Sequence, residues 1–273
     1  MSSSSGLPPI RACLFDMDGL LINSEDLYTI TINKILSEYG KPNIPWHIKA
    51  QLQGRPAPES GRIFQEWAQL PIPPEEFHAK NRALQLEHFP TCQPLPGAHA
   101  LVSKLASTPP PKKVHIALAT SSHNFNYELK TRHLQDLFTL FPPEHRIVGD
   151  DPRIPAGRGK PAPDIYLVAL KAVNESVRAA GEPEIRPEEC LVFEDSVPGV
   201  EAGRRAGMQV VWCPHPGLRE LYMGREEEVL AGLTGEHVGE EGEDPPGAIG
   251  DGWGRLLGSL EEFDYGVYGI RVE

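Results

Sequence analysis

Four short apolar runs, "IRACLF", "VHIALA", "CLVF" and "QVVW", constrain this chain more than any other feature. Each is of strand length, too short for a buried helix. Before the last three lie segments of helical periodicity: "GAHALVSKLAS", then "PAPDIYLVALKAV", then "PGVEAGRRAG" with Gly207 at its stop. Strands separated by helices cannot pair as hairpins; they require crossovers, and crossovers place them parallel with helices over both faces. A short strand in "HRIVGDD" fits the same scheme, and "LLGSLEEFD" is expected to return and pack on the sheet. The fold class predicted is therefore α/β, a doubly wound, mainly parallel sheet of the Rossmann-like kind.

Residues 24–94 interrupt that rhythm. No strand is evident there, while Ile32, Ile35, Leu36 and Tyr39 recur at helical spacing, as do Ile63, Phe64, Trp67 and Leu70. "PPEEFHAKNRALQLEHF" reads as another helix, and Ser24 as the N-cap of the first, with Glu25 and Asp26 in its opening turn. The expected organisation is a discontinuous core, 1–23 and 95–273, carrying an all-helical cap over 24–94. Residues 234–252, acidic and rich in glycine and proline, read as a flexible surface loop.

At 273 residues and 40% hydrophobic composition the chain can bury a sizeable core. A net charge of −12 argues against a nucleic-acid surface, so an anionic substrate would need a local positive site or a metal. The start, "MSSSSGLPPI", lacks the pattern of a signal peptide, and no apolar segment is long enough to span a membrane. The four cysteines are scattered with no CxxC pair, and the three in or beside apolar runs read as reduced core residues. A cytoplasmic protein, monomeric or weakly dimeric, is expected.

In such sheets reactive groups gather beyond the carboxyl ends of the strands. Here those ends carry Asp16 and Asp18, two apart and so on one side of an extended segment, and Glu194 with Asp195. Acids converging on one point repel one another unless a hard cation lies among them, and Mg²⁺ suits carboxylate oxygens. Thr120 and Ser121 end another strand, and Lys160 sits in the "GRGKP" loop: hydroxyls and an ammonium for a phosphate. The set implies phosphoryl transfer, with one aspartate as nucleophile and the other as acid and base.

The motifs Asp16-Met17-Asp18-Gly19, Thr120, Lys160 in "GKPAPDIY" and "FEDSVPGVEAGRRAGM" resemble, in order and over nearly the whole chain, the haloacid dehalogenase superfamily of phosphatases with a helical cap. The resemblance implies Asp16 as nucleophile, Asp18 as general acid/base, and Thr120, Ser121 and Lys160 around the phosphoryl group. It also implies Mg²⁺ held by Asp16, Asp195 and the Asp18 carbonyl, with Glu194 as a further or outer ligand. Within the superfamily, "FDMDGLLINSE", "IALATSS", "GDDP" and "LVFEDS" look most like pseudouridine-5'-phosphate phosphatases. The expected partner is accordingly a small phosphorylated metabolite, by this resemblance pseudouridine 5'-phosphate, with sugar or polyol phosphates as the alternative. Two departures are Tyr28, where phosphomutases of this branch carry a histidine, and Asn23, where aspartate is frequent.

Each site residue also has an ordinary structural account. Asp16 and Asp18 could form an acidic turn, Lys160 a solvated loop lysine, and Thr120 and Ser121 a helix cap. The motifs together outweigh these accounts. Gly149-Asp150-Asp151 reads as a turn. Gly54 and Arg55, in "LQGRPAPES" between cap helices, are candidates for reading the substrate. A phosphomutase or a silent binding module are the rivals; the first is weakened by Tyr28, the second by the intact charged motifs.

Overall fold

A computed structural model describes residues 6–54, 57–109, 113–235 and 246–272. Six strands form one sheet: β1 (Ala12–Phe15), β2 (His115–Ala119), β3 (Arg146–Ile147), β4 (Cys190–Glu194), β5 (Gln209–Trp212) and β6 (Gly254–Leu256). Their order is β3-β2-β1-β4-β5-β6, and every pairing is parallel. The doubly wound α/β arrangement is thus present, and β1, bearing the first aspartate motif, lies at its centre.

The alternation of side chains along each strand divides the core in two. Cys13, Phe15, Ile116, Leu118, Leu191 and Phe193 join one cluster, and Ala12, Leu14, Ala117, Ala119, Val192 and Val210 the other. Phe15 and Phe193 are directly opposite in register and stack at 4.5 Å between ring centroids. That contact locks the two central strands, and so fixes how far the residues after them project.

The helices are α1 (Ser24–Glu38), α2 (Trp46–Leu52), α3 (Ala57–Ala68), α4 (Pro74–His88), α5 (Ala98–Ala106), α6 (Asn124–Thr131), α7 (Gln135–Phe138), α8 (Asp164–Ala179), α9 (Val197–Arg205), α10 (Pro216–Leu221) and α11 (Glu226–Leu230). α1 to α4 form the inserted all-helical unit, with an apolar cluster of their own built on Ile35, Leu36, Ile44, Ile48, Phe64, Ala68 and Phe77. The chain leaves and re-enters the core side by side, since Asn23 N–H donates to the Gln93 carbonyl at 3.0 Å and Gln93 N–H donates to Asn23 Oδ1 at 2.8 Å. Asparagine serves here without an aspartate's charge.

Some elements differ from the sequence expectation. Ser24 is not the N-cap of α1; Asn23 precedes the helix, and the Ser24 hydroxyl, which as a cap would accept from a backbone N–H, donates instead to the Asp18 carboxylate at 2.5 Å. Neither Thr120 nor Ser121 caps α6, whose Asn124 N–H is taken by Asp150 Oδ1 at 2.8 Å, giving the acidic turn a local purpose. α2 and β6 carry no periodic signal in sequence, being short and, for β6, at the edge of the sheet. Of 234–252, residues 236–245 lie outside the described ones; near its end Asp251 pairs with the buried Arg204 and accepts from Trp253 N–H at 2.9 Å.

Candidate active site

The carboxyl ends of β1, β2 and β4 meet at one place because the strands are parallel and in register. Asp16 N–H continues the ladder to the Phe193 carbonyl at 3.0 Å, and Thr120 N–H to the Ile147 carbonyl at 3.0 Å. The ladder therefore delivers Asp16, Thr120 and Glu194 to one rim. Lys160 comes to the same rim from the loop before α8 and is 1% exposed. Its Nζ lies 2.5 Å from Asp16 Oδ1, 2.6 Å from Glu194 Oε1 and 3.1 Å from the Ala119 carbonyl. Burial opposes the lysine's charge, but Asp16 and Glu194 outweigh it and hold its pKa above the ordinary value.

Asp16, Glu194 and Asp195 are all buried, and an oxygen of each lies within 4.8 Å of the others. The acids are unequally served. Glu194 accepts from Tyr166 OH at 2.6 Å and from Ser196 N–H and Oγ at 3.2 and 3.0 Å, besides Lys160. The side chain of Asp195 accepts only from Gln53 Nε2, at 3.3 Å, among the described hydrogen bonds. A carboxylate so buried with so few donors is costly unless it is neutralised. Burial, followed by the charges of Glu194 and Asp16, pushes the Asp195 pKa well up. Burial likewise raises Asp16 to about 7, with Glu194 and Asp18 adding to it, against the pull of Lys160. The donor set of three acids, one nearly bare, fits a divalent cation, and Gly19 keeps the space open: at φ +78° it has no side chain, and a Cβ there would lie 2.3 Å from Asp195 Oδ2.

Asp18 belongs to a separate network. Ser24 Oγ and Ser122 Oγ donate to it at 2.5 and 2.6 Å, Thr120 Oγ1 lies at 3.5 Å, and Lys130 forms a short ion pair with it. Lys130, on α6, is fully buried and also donates to Ser122 Oγ at 2.7 Å and to Tyr28 OH at 3.3 Å. Its ammonium lies over the rings of Tyr28 and Phe89 at 5.1 and 5.2 Å. Burial would raise the Asp18 pKa, yet Lys130 and the hydroxyl donors hold it below the ordinary carboxylate value. Burial pushes Tyr28 up to about 12.

Above the rim opens a cavity of about 520 Å³, reaching from Asp16 and Asp18 to the helices of the cap. Gly54, at the exit of α2, and Ser121 both line it, and the Ser121 hydroxyl donates to the Gly54 carbonyl at 3.2 Å, tying cap to core. Arg55 lies outside the described residues. A second tie is the stacking of Trp46 on His215 at 4.6 Å, made possible by Gly217, where a Cβ would meet the indole at 2.1 Å.

The sequence reading passed over Lys130, Gln53 and Tyr166, and gave Ser122 no role. For Lys130 a signal existed: it falls at i+3 from Tyr127 and one before Thr131, on the buried face of α6, where a lysine needs a charged partner. For Gln53 there was none, since only the cap's placement brings it to Asp195.

A parallel sheet with acids, a lysine and hydroxyls at its carboxyl edge, roofed by inserted helices, defines a hydrolase of the capped Rossmann-like kind. The chain belongs to the haloacid dehalogenase-like hydrolases, whose family model matches residues 10–207. It is 42% identical over 261 residues to a probable pseudouridine-5'-phosphatase of Saccharomyces cerevisiae, covering 96% of this chain and 98% of the yeast one. It is 34% identical to the mitochondrial (DL)-glycerol-3-phosphatase 1 of Arabidopsis thaliana, over 85% of this chain and 73% of that one. Its fold is similar to that of CbbY from Rhodobacter sphaeroides in complex with phosphate, with a TM-score of 0.61 at 22% identity, covering 93% and 96% of the two chains. No helix among the described residues is long and apolar enough to cross a membrane.

Proposed function

We propose that this protein is a Mg²⁺-dependent phosphatase of a small phosphorylated metabolite, pseudouridine 5'-phosphate, working through an aspartyl-phosphate on Asp16. The observation that carries the reading is the buried meeting of Asp16, Lys160 and the underserved Asp195 beneath one cavity. Asp16 and Asp195 would hold the ion, with the Asp18 carbonyl, while Glu194, its oxygens already engaged by Lys160, Tyr166 and Ser196, would act from outside the ligand shell. When bound, Mg²⁺ supplies charge neutralisation for the acids and for the phosphoryl oxygens.

The chain's own groups do the rest. Asp16 attacks phosphorus, and the leaving oxygen takes its proton from Asp18; the same carboxylate then draws a proton from the water that cleaves the acyl phosphate. Lys160 and Thr120 stabilise the transferring group. Asp18 must exchange the contacts of Ser24, Ser122 and Lys130 for the substrate and carry a proton when it meets the leaving oxygen, so Lys130 is a positioning residue that holds the acid/base in place before that exchange. The helical unit over 24–94 acts as the cap, closing on the core of 1–23 and 95–273 and excluding water. Gly54 and Ser121, joined across the two, mark where that closure is felt.

Tyr28 supports hydrolysis over phosphomutation. With its pKa at about 12 and its ring packed on Phe89 at 4.9 Å, it offers no histidine-like proton shuttle at neutral pH. Polyol phosphates form the second reading, favoured by the likeness to the Arabidopsis glycerol-3-phosphatase. Phosphate release from a panel of phosphorylated nucleosides, sugars and polyols, with Mg²⁺ and with EDTA, tests both. Strong Mg²⁺-dependent release from pseudouridine 5'-phosphate is expected. Preference for glycerol 3-phosphate would move the substrate, and silence across the panel would refute the activity.

A further inference from the structure

Helix α4 is unusual for a helix facing a cavity. His78, Asn81, Arg82 and Gln85 stand at i, i+3, i+4 and i+7, and all four line the cavity that holds Asp16 and Asp18. At 3.6 residues per turn they share an arc of about 100° on the helix surface. Phe77 and Leu84, on the adjoining arc, pack into the cap's apolar cluster. Asn81 and Gln85 on this arc are half-buried, while His78 and Arg82 are exposed, and Phe77 is the buried residue of the helix.

Three details indicate what the arc is for. Asn81 Oδ1 is buried and has no hydrogen-bond partner among the described residues, so it is an acceptor awaiting a donor. The same cavity has an apolar part to its lining: Phe64 and Phe77 stack at 4.7 Å, and Ile32 and Ile44 line it too. At the side, the Arg82 guanidinium lies 4.3 Å over the ring of Phe125, an aromatic that is 46% exposed and belongs to α6 of the core. The cavity thus combines apolar walls, a side-chain amide and a guanidinium. A three-carbon polyol could donate a hydroxyl to the amide oxygen but would leave those walls wet. A planar heterocycle with a ring N–H beside a C=O satisfies both, because a carboxamide offers the complementary acceptor and donor.

We infer that the polar arc of α4 is the surface that reads the leaving group, with the Asn81 amide paired to the N–H/C=O edge of a pyrimidine-type base on a nucleoside 5'-monophosphate. This rests on the phosphatase reading above and deepens it, by assigning the substrate class to named residues of the cap. Arg82, held by Phe125, closes the side of the base subsite, and Gln85, one turn further along α4, extends the polar edge.

The test is the selectivity ratio: kcat/KM for pseudouridine 5'-phosphate divided by kcat/KM for p-nitrophenyl phosphate, with Mg²⁺, in the wild type, Asn81→Leu, Asn81→Ser and Arg82→Ala. Loss of a hydrogen bond that the site is built to make should lower the ratio by about 10- to 100-fold in both Asn81 variants, chiefly through KM for the nucleotide. Arg82→Ala should lower it by a smaller factor. A ratio within about twofold of the wild type in both Asn81 variants would overturn the assignment, as would equal losses on the two substrates. Wild-type release from p-nitrophenyl phosphate or glycerol 3-phosphate, but not from the nucleotide, would overturn the base-reading surface alone. No release from any of the three would refute the phosphatase reading and this inference with it.

Discussion

The floor and the roof of the cavity are built on different physical terms. The floor is strand ends: Asp16, Thr120 and Glu194 stand where backbone ladders put them and are almost fully buried, and the two acids are engaged by short charged hydrogen bonds from Lys160. The roof is helices on a small apolar cluster, its polar arc only partly buried and, at Asn81 Oδ1, unmatched. In a floor of that kind a substitution falls directly on buried charges that depend on one another. The roof can change residue by residue, so on the proposed reading chemistry belongs to the floor and choice of substrate to the roof.

The sharpest way to test that division is Asp16→Asn. It should lower kcat by on the order of 10³-fold or more, while thermal unfolding shows the fold retained, since the variant removes a charge that burial already disfavours. Substantial phosphate release would dissolve the distinction. Lys160→Met should cost about 10²- to 10³-fold in kcat, the usual scale for one preorganised positive donor.

Lys130→Met probes the edge of the floor, where the charge is positioned rather than reacting. Leaving Asp18 without its ion pair should destabilise the protein by on the order of 3 kcal/mol in denaturant unfolding. It should also lower kcat about 10-fold or more on alkyl phosphates, with less effect on p-nitrophenyl phosphate, whose leaving group needs little protonation. Equal losses on the two would assign Lys130 to stability alone.

Titration gives a subtler contrast. Asp16 is raised in the folded state to about 7, and Asp195 well above its ordinary value. Between about pH 4, where an unfolded aspartate loses its proton, and pH 7 the folded state therefore binds more protons than the unfolded one. Stability of the metal-free protein should fall as pH rises through that window. Saturating Mg²⁺ should flatten the fall, because the cation takes the protons' place; melts at several pH values, with EDTA and with Mg²⁺, read this directly. An unchanged slope would count against a cation among these acids.

The smallest effect belongs to the roof's interior. Ile35→Val, fully buried in the cap cluster, should cost about 1 kcal/mol, measured by denaturant midpoint, with the kcat of the Asp16 chemistry following the wild type.

What could be seen in the sequence follows this same division. The alternating fold, the inserted helices and the strand-end acids are legible because each rests on a local pattern: apolar runs of strand length, helical periodicity, an abrupt change from apolar to charged residues. Lys160 is legible by its motif. Lys130 is harder, visible only as a lysine on the wrong face of α6, and Ser24 proved to be the first residue of α1 rather than its N-cap, its hydroxyl donating to Asp18. Gln53 and the α4 arc are not legible, since a polar stripe on a helix reads as solvent-facing until something roofs it.

The sequence by itself determined the parallel-sheet class, the strand that ends in aspartate and the family to which they belong, because hydrophobic period and strand-end chemistry are properties of consecutive residues, whereas the central place of that strand came from the structure. Only the tertiary structure decided that Asp18 answers to Lys130, that Asp195 is left nearly bare, and that one arc of α4 lines the cavity. Those depend on distances between segments 50 to 180 residues apart in the chain, and such distances are set by packing, which no local pattern encodes.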